Sequence, residues 1–278
     1  MKHNEKQDFT QELIKTARIT QGRIDTREVY RDFIAYCALA ISIPTDPVHR
    51  EMREKQLTAL EAKYSQSEHK AFASTLKRMT EVVSQNIERG VFNDVLSLAY
   101  FELSAHNKHL KQEFTPPDIS RLMAALMWKD PDRLPNKGYI TLSDPTCGGG
   151  MLPLMAAERL CQKGFNPSKD LVVQAVDVDL TCVQMTYIHL SLYGIPAVII
   201  HGDCLTLKEY DRWYTPVYIW GQWVWQESIS LQPGRNESDE LLKVYDQPMY
   251  GAVRYMTWAE QKGEDPCNNV PKQIQTKS

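Results

Sequence analysis

Between a β-branched run ending at Leu142 and an apolar helical segment starting at Met151 stands the sequence Asp144-Pro-Thr-Cys-Gly-Gly-Gly150. Three adjacent glycines at a strand-to-helix junction let the backbone turn sharply, approach a ligand closely and face it with helix N–H groups. Asp144, at the end of the strand, can accept a hydrogen bond from a cationic amino group such as that of a bound amino acid. The same glycines also suit a loop that is only a tight turn. About thirty residues on, Asp177-Val-Asp179 follows a second strand-like run, where one carboxylate can take both ribose hydroxyls of a nucleoside. Asp177 is the candidate for that task, whereas Asp179, close to a helix start, reads as an N-cap. A third run ends in His201-Gly-Asp-Cys-Leu205. Asp203 could accept from an exocyclic amine while Leu205 packs on a base, a pairing that would read adenine; His201 reads as a hydrogen-bonded loop residue rather than a catalyst.

The elements that must position these residues are visible on either side. Apolar residues at three- and four-residue steps predict helices up to about Leu110: Leu13, Ile14 and Ala17, then Val29, Phe33, Ile34 and Cys37, then Phe72, Leu76, Met79 and Val83. Pro44-Thr-Asp-Pro47 breaks this stretch into a turn. The highly charged residues 50–71 read as a solvated helix face. After Phe114 the pattern changes to strand (139–142), helix (151–162), strand (171–176), helix (181–193), strand (197–200), which predicts a parallel sheet with helices on its faces. Ligands bind such sheets beyond the carboxyl ends of the strands, where the three carboxylates fall.

Taken in order, with Phe114-Thr-Pro116 ahead of them, these loops resemble the N6-adenine DNA methylases, especially the modification subunits of type I restriction systems. The resemblance runs from about Phe92 to Leu207. It implies an α/β, Rossmann-like class I methyltransferase fold dependent on S-adenosylmethionine (SAM), preceded by a helical N-terminal domain. Residues 1–110 would be that helical domain, 111–258 the SAM-binding domain and 259–278 a flexible tail. In the family a Phe-Thr-Pro segment lines the cofactor, implying Phe114, Thr115 and Pro116. An Asp-Pro-x-x-Gly-Ser-Gly loop holds its methionine end, implying Asp144, Pro145, Thr146, Gly148 and Gly150, with Gly149 in place of the serine. Asp177 would hold the ribose, and Asp203 and Leu205 the adenine.

The family also carries a tetrapeptide Asn/Asp-Pro-Pro-Tyr/Phe, whose amide oxygen and backbone carbonyl accept the adenine amino protons while its ring stacks on the flipped base. This chain has only degenerate versions: Thr215-Pro216-Val-Tyr218, and Gln247-Pro248-Met-Tyr250. Threonine is short and also a donor; glutamine is one methylene too long. The short stretch left after the third strand implies a shortened sheet, with Pro216 to Trp225 as a strand bearing Trp220, Trp223 and Trp225 on one packed face, and 241–245 and 252–258 as two more. The expected activity is SAM-dependent adenine-N6 methylation of DNA, the alternative a catalytically inactive SAM-binding regulatory or interaction module.

Composition bounds the partners. The 278 residues are 42% hydrophobic and 24% charged, enough to bury a sizeable core. Net charge is −3, with 17 Lys and Arg against 16 Asp and Glu in residues 1–113 and 15 against 19 in the remainder, so neither half is basic. A protein that grips DNA alone usually shows a basic face, so DNA is expected as a partner through a separate specificity subunit, in a homo- or hetero-oligomer. Six scattered cysteines, with no zinc-ligand spacing, predict reduced thiols and no metal. A polar N-terminus and no apolar run of membrane length lead to the expectation of a cytoplasmic protein without a membrane partner.

Overall fold

A computed structural model describes residues 2–104, 114–127, 138–221 and 223, with side chains from residue 9 onward. Among the described residues six helices come first: α1 (Lys2–Ala17), α2 (Thr26–Ser42), α3 (Arg50–Glu61), α4 (Gln66–Glu88), α5 (Ser97–Glu102) and α6 (Pro117–Met127). Local chemistry fixes their ends. Asp25 caps α2 by accepting from the Arg27 N–H, and Ser65 and Glu68 form a reciprocal capping box on α4. Arg23 closes that corner with two bonds to the Glu68 carboxylate, at 3.0 and 2.8 Å.

The remainder alternates strand and helix: β1 (Ile140–Asp144), α7 (Met151–Gln162), the short α8 (Pro167–Asp170), β2 (Leu171–Asp177), α9 (Leu180–Leu192), β3 (Ala197–Asp203), β4 (Lys208–Tyr214) and α10 (Pro216–Trp220). The sheet order is β1-β2-β3-β4. β1, β2 and β3 run parallel, and β4 returns antiparallel to β3. β3 is buried on both faces, and β2 is too except at Gln174, as largely apolar parallel strands require. Leu171, Val173, Ala175, Ala197 and Ile199 face the main core. Val172, Val198 and Ile200 face a second cluster with Tyr214, Tyr218, Ile219 and Trp223.

The helical stretch is not packed apart from the sheet. One continuous buried cluster runs from Phe9 and Leu13 through Phe33, Phe72 and Leu96 to Val173, Ile199 and Trp213. α9 is the joint: its side chains are buried almost all round, the signature of a helix with partners on every side. It packs against α2 on one side and β2 and β3 on the other. A second joint is ionic. Arg53 on α3, within the stretch read as a solvated face, is fully buried against β4, with Nη1 and Nη2 at 2.6 and 2.9 Å from the Asp211 carboxylate.

Two sequence expectations change here. The stretch from Pro216 begins as a helix, not a strand: Thr215 is extended at the N-cap position and Pro216 takes the first helical turn, where its missing N–H costs nothing. The Lys208–Tyr214 strand was not expected, because a charged strand at a sheet edge lacks the apolar run that marked its neighbours. Residues 241–245 and 252–258, Trp225 and the tail from 259 lie outside the described residues. Among the described residues no helix is long and apolar enough to cross a membrane.

Candidate functional site

The parallel strands end on one rim. Beyond it the chain from Cys147 to Gly150 turns into α7 with Gly148 and Gly150 at φ of 53° and 83°, conformations that L side chains rarely adopt. Neighbouring elements clamp this turn. The Cys147 N–H donates to Val176 O at 2.9 Å and the Gly148 N–H to Asp177 Oδ2 at 2.9 Å. The Thr186 hydroxyl donates to Gly148 O at 2.8 Å. His189, fully buried on α9, accepts from the Val95 N–H through Nε2 at 3.1 Å, which leaves the proton on Nδ1 to donate to Gly149 O at 2.8 Å. Gly150 at the N-cap position offers α7 no side-chain acceptor.

A cavity of about 430 Å³ opens beside the turn, within the range of small-ligand sites. Its walls include Gly148, Gly149 and Thr146 of the turn, Phe114 and Thr115 ahead of α6, and Asp144 and Asp177 from two different strand ends. The Phe114 ring lies over Gly148 and stacks on Tyr100, centroids 5.8 Å apart. Thus the structure brings together Phe114, Thr115, Asp144, Thr146, Gly148 and Asp177. Gly150 shapes the turn from behind, where an added Cβ would come within 3.3 Å of Thr186 Cα. Pro116 stands just before α6, its carbonyl accepting from the Ile119 and Ser120 N–H groups. Pro145 is not among the cavity walls.

Asp203 and Leu205 are not brought to this cavity. Asp203 Oδ1 accepts from the Leu205 and Thr206 N–H groups at 2.9 and 3.4 Å, bonds that hold its carboxyl below the usual range. It reverses the chain into β4, leaving Leu205 91% exposed. That hairpin also carries Thr215, Pro216 and Tyr218 to the wrong end of the sheet. The Thr215 hydroxyl accepts from the Ala197 N–H and donates to Ile195 O, both at 2.9 Å, at the amino end of β3, roughly 13 Å along the strand from His201, the partner of Asp177 at the site rim, at 3.3 Å per residue. Tyr218 is 2% exposed and stacks on Tyr214 inside the second cluster. Gln247, Pro248 and Tyr250 lie outside the described residues. His201 Nε2 lies 3.2 Å from Val178 O, and Asp179 caps α9 as expected.

Sequence reasoning missed Asp94, a third carboxylate in the cavity wall. The available signal was Asn93-Asp94 just after the Gly90 break and two residues before an apolar helical run, a helix-start signature. No Lys, Arg or His occurs among the described residues lining the cavity. The carboxylates do not form a metal centre: among the described residues no group of three or more His, Cys, Asp or Glu could hold an ion.

Burial disfavours the charged form of Asp144, raising its pKa, and nearby Asp177 adds to this; one N–H, from Thr146 at 3.3 Å, opposes it. Burial likewise raises Asp177, against the N–H groups of Asp179 and Gly148. A carboxyl whose folded pKa is raised binds more protons folded than unfolded, so it stabilises the fold below the ordinary carboxylate range and loses that contribution as pH rises through the raised value. Asp144→Asn, which keeps an oxygen for the Thr146 N–H, should therefore melt at or above the wild-type temperature at pH 7 without ligand. The difference should shrink below about pH 4, where Asp144 is itself neutral. Thermal denaturation against pH checks both.

No protein-family model matches the chain, and no curated protein does. Among solved structures, it is similar to a Listeria monocytogenes protein designated a class I S-adenosylmethionine-dependent methyltransferase, at 21% identity and TM-score 0.43 over 72% of this chain and 54% of that one. It is also similar to the methyltransferase subunit of a type I restriction-modification system from Streptococcus thermophilus, at 15% identity and TM-score 0.33 over 69% and 56%. The chain spans little more than half the length of either.

Proposed function

We propose that the cavity binds SAM and that the chain is the methylase core of an adenine-N6 DNA methyltransferase acting with a separate DNA-reading subunit. One observation carries the first half: Asp144 and Asp177, from different strands, face one cavity beside the glycine turn, with no basic side chain among its described walls. A glycine turn opening a helix equally suits a phosphate, but a nucleotide phosphate would meet only carboxylates here. SAM fits the donor set better, because its sulfonium and ammonium groups are cationic while its single carboxylate can turn to the N–H groups of α7. Asp144 would take the ammonium, Asp177 the ribose hydroxyls, and Phe114 and Thr115 would cover the ligand. When bound, SAM supplies an electrophilic methyl group on sulfur. The chain's own residues bind and orient it and, with the phenyl ring of Phe114, shield it from water.

The second half rests on the resemblance of the Phe-Thr-Pro segment, the glycine loop and Asp177 in their order along the chain. A second reading is favoured by the burial of Thr215 and Tyr218 away from the site: a SAM-binding module without catalysis. Transfer of labelled methyl to DNA by the intact chain, with and without Tyr218→Ala and Tyr250→Ala, separates the two. On the first reading Tyr250→Ala abolishes transfer. Tyr218→Ala lowers stability by about 2–4 kcal/mol as a core truncation while the folded variant keeps its rate. Absence of transfer even to concentrated single-stranded DNA, whose unpaired adenines need no DNA-reading subunit to be presented, with SAM still bound, leaves the second.

A further inference from the structure

Asp94 has no part in the assignment above, yet its surroundings aim it at a ligand. The residue is 5% exposed and precedes α5. Its Oδ1 is fully engaged, accepting from the Leu96 and Ser97 N–H groups at 2.9 and 2.8 Å with His189 Nε2 at 3.5 Å. His189 Nε2 already accepts from Val95 and carries no proton for Asp94. No described residue donates to Oδ2, which stands in the cavity wall 3.0 Å from where a Cβ on Gly149 would lie. On a side chain otherwise held by its own backbone, an oxygen left open to the cavity is placed to take a donor from whatever fills that cavity.

A second feature points the same way. An added Cβ on Gly149 would overlap Ser97 Oγ, a buried hydroxyl without a hydrogen-bond partner. Thus the Asp94–Ser97 segment occupies the space that a side chain at position 149 would take. The glycine turn presents its bare backbone at this point, and the polar groups beside it come from another part of the chain.

We propose that Asp94 is a third ligand-binding carboxylate, which accepts through Oδ2 from the ammonium of the ligand's amino-acid portion. This rests on the SAM reading of the cavity and adds to it the residue that selects a ligand bearing a free amine. An ammonium has three N–H donors; Asp144 can satisfy one side of it and Asp94, across the turn by Gly149, another. Asp177 lies on the strand end that bonds Gly148, farther along the turn, and addresses the sugar.

Calorimetric titration of the intact chain with SAM and with 5′-methylthioadenosine, which has the same nucleoside and no amino-acid portion, tests this. Asp94→Asn keeps an oxygen for the Leu96 and Ser97 N–H groups. It should weaken SAM about 10- to 100-fold, the loss expected for one hydrogen bond to a charged group, and leave methylthioadenosine within about twofold. An equal loss for both ligands, or no loss for SAM, overturns the role of Asp94. Should that variant fold poorly, Asp94→Ser, whose hydroxyl also caps the turn, gives the same comparison. Wild-type protein that binds neither ligand instead overturns the SAM reading, and the inference with it.

Discussion

Gly149→Ser should lower affinity for SAM about 100-fold, and Ser97→Gly in the same chain should restore most of it. Gly149 does not have the left-handed backbone of Gly148 and Gly150, so its need for glycine is one of space alone. The new Cβ would overlap Ser97 Oγ and stand 3.0 Å from Asp94 Oδ2 and 3.3 Å from the Phe114 ring. Two of these neighbours are held in place: Asp94 by two backbone N–H groups and Phe114 between Tyr100 and Phe101. Overpacking of this kind costs about 1–3 kcal/mol, and relief by shifting the turn would misplace the cavity wall. Removing the Ser97 hydroxymethyl group reopens the space. Titration of both variants with SAM measures loss and rescue, and a double variant as weak as Gly149→Ser would show that Ser97 is not the obstacle.

A large expected loss of stability lies away from the cavity. Asp211→Ala should destabilise the fold by about 3 kcal/mol, the lower end of the range for stripping a buried charge of its partner, because Asp211 itself keeps some contact with solvent. Arg53 would remain fully buried. Its guanidinium would be left with the Arg212 carbonyl at 2.9 Å, the Gln56 side chain at 3.3 Å and the face of Trp213 at 3.6 Å from the ring centroid. Replacing Arg53 by Met together with Asp211→Ala removes the orphaned charge and should recover part of the loss. Urea unfolding of the three proteins gives the comparison. A loss below about 0.5 kcal/mol would place the pair among ordinary surface ion pairs and remove the ionic joint between α3 and the sheet.

Much of the site's scaffold was legible because its signals were local. The glycine turn and the helix after it, with bounds at 151 and 162, follow from Gly150 ending the turn and an apolar run starting at Met151. β2 and β3 followed from β-branched runs, each extending to its terminal aspartate. What failed were readings in which a local pattern had two meanings. Trp223 and Trp225 are two residues apart, as on one face of a strand, but Trp220 and Trp223 are three apart, as on a helical face, and Thr215-Pro216 starts a helix. Gly202-Asp203 followed by Leu205 resembled a base-reading motif, whereas the Asp203 carboxylate folds back on its own backbone as a turn.

The least legible features depend on distant partners. Nothing in the charged run around Arg53 shows that one cation among several is buried, since its carboxylate comes 158 residues later. His189, which fixes the turn at Gly149 and the segment before α5 at once, reads in sequence as one polar residue in an apolar helix. The join between the helices and the sheet is likewise a property of α9, whose even hydrophobicity says that it has neighbours all round but not which they are.

Titration of the intact chain with SAM, in parallel with ATP and NAD, tests the central claim most directly. Saturable binding of SAM at one site, lost when Asp144 and Asp177 are both changed to Asn, and no binding of either phosphate-bearing nucleotide are the expected results. No heat and no thermal shift with SAM, or tighter binding of ATP or NAD, would contradict it.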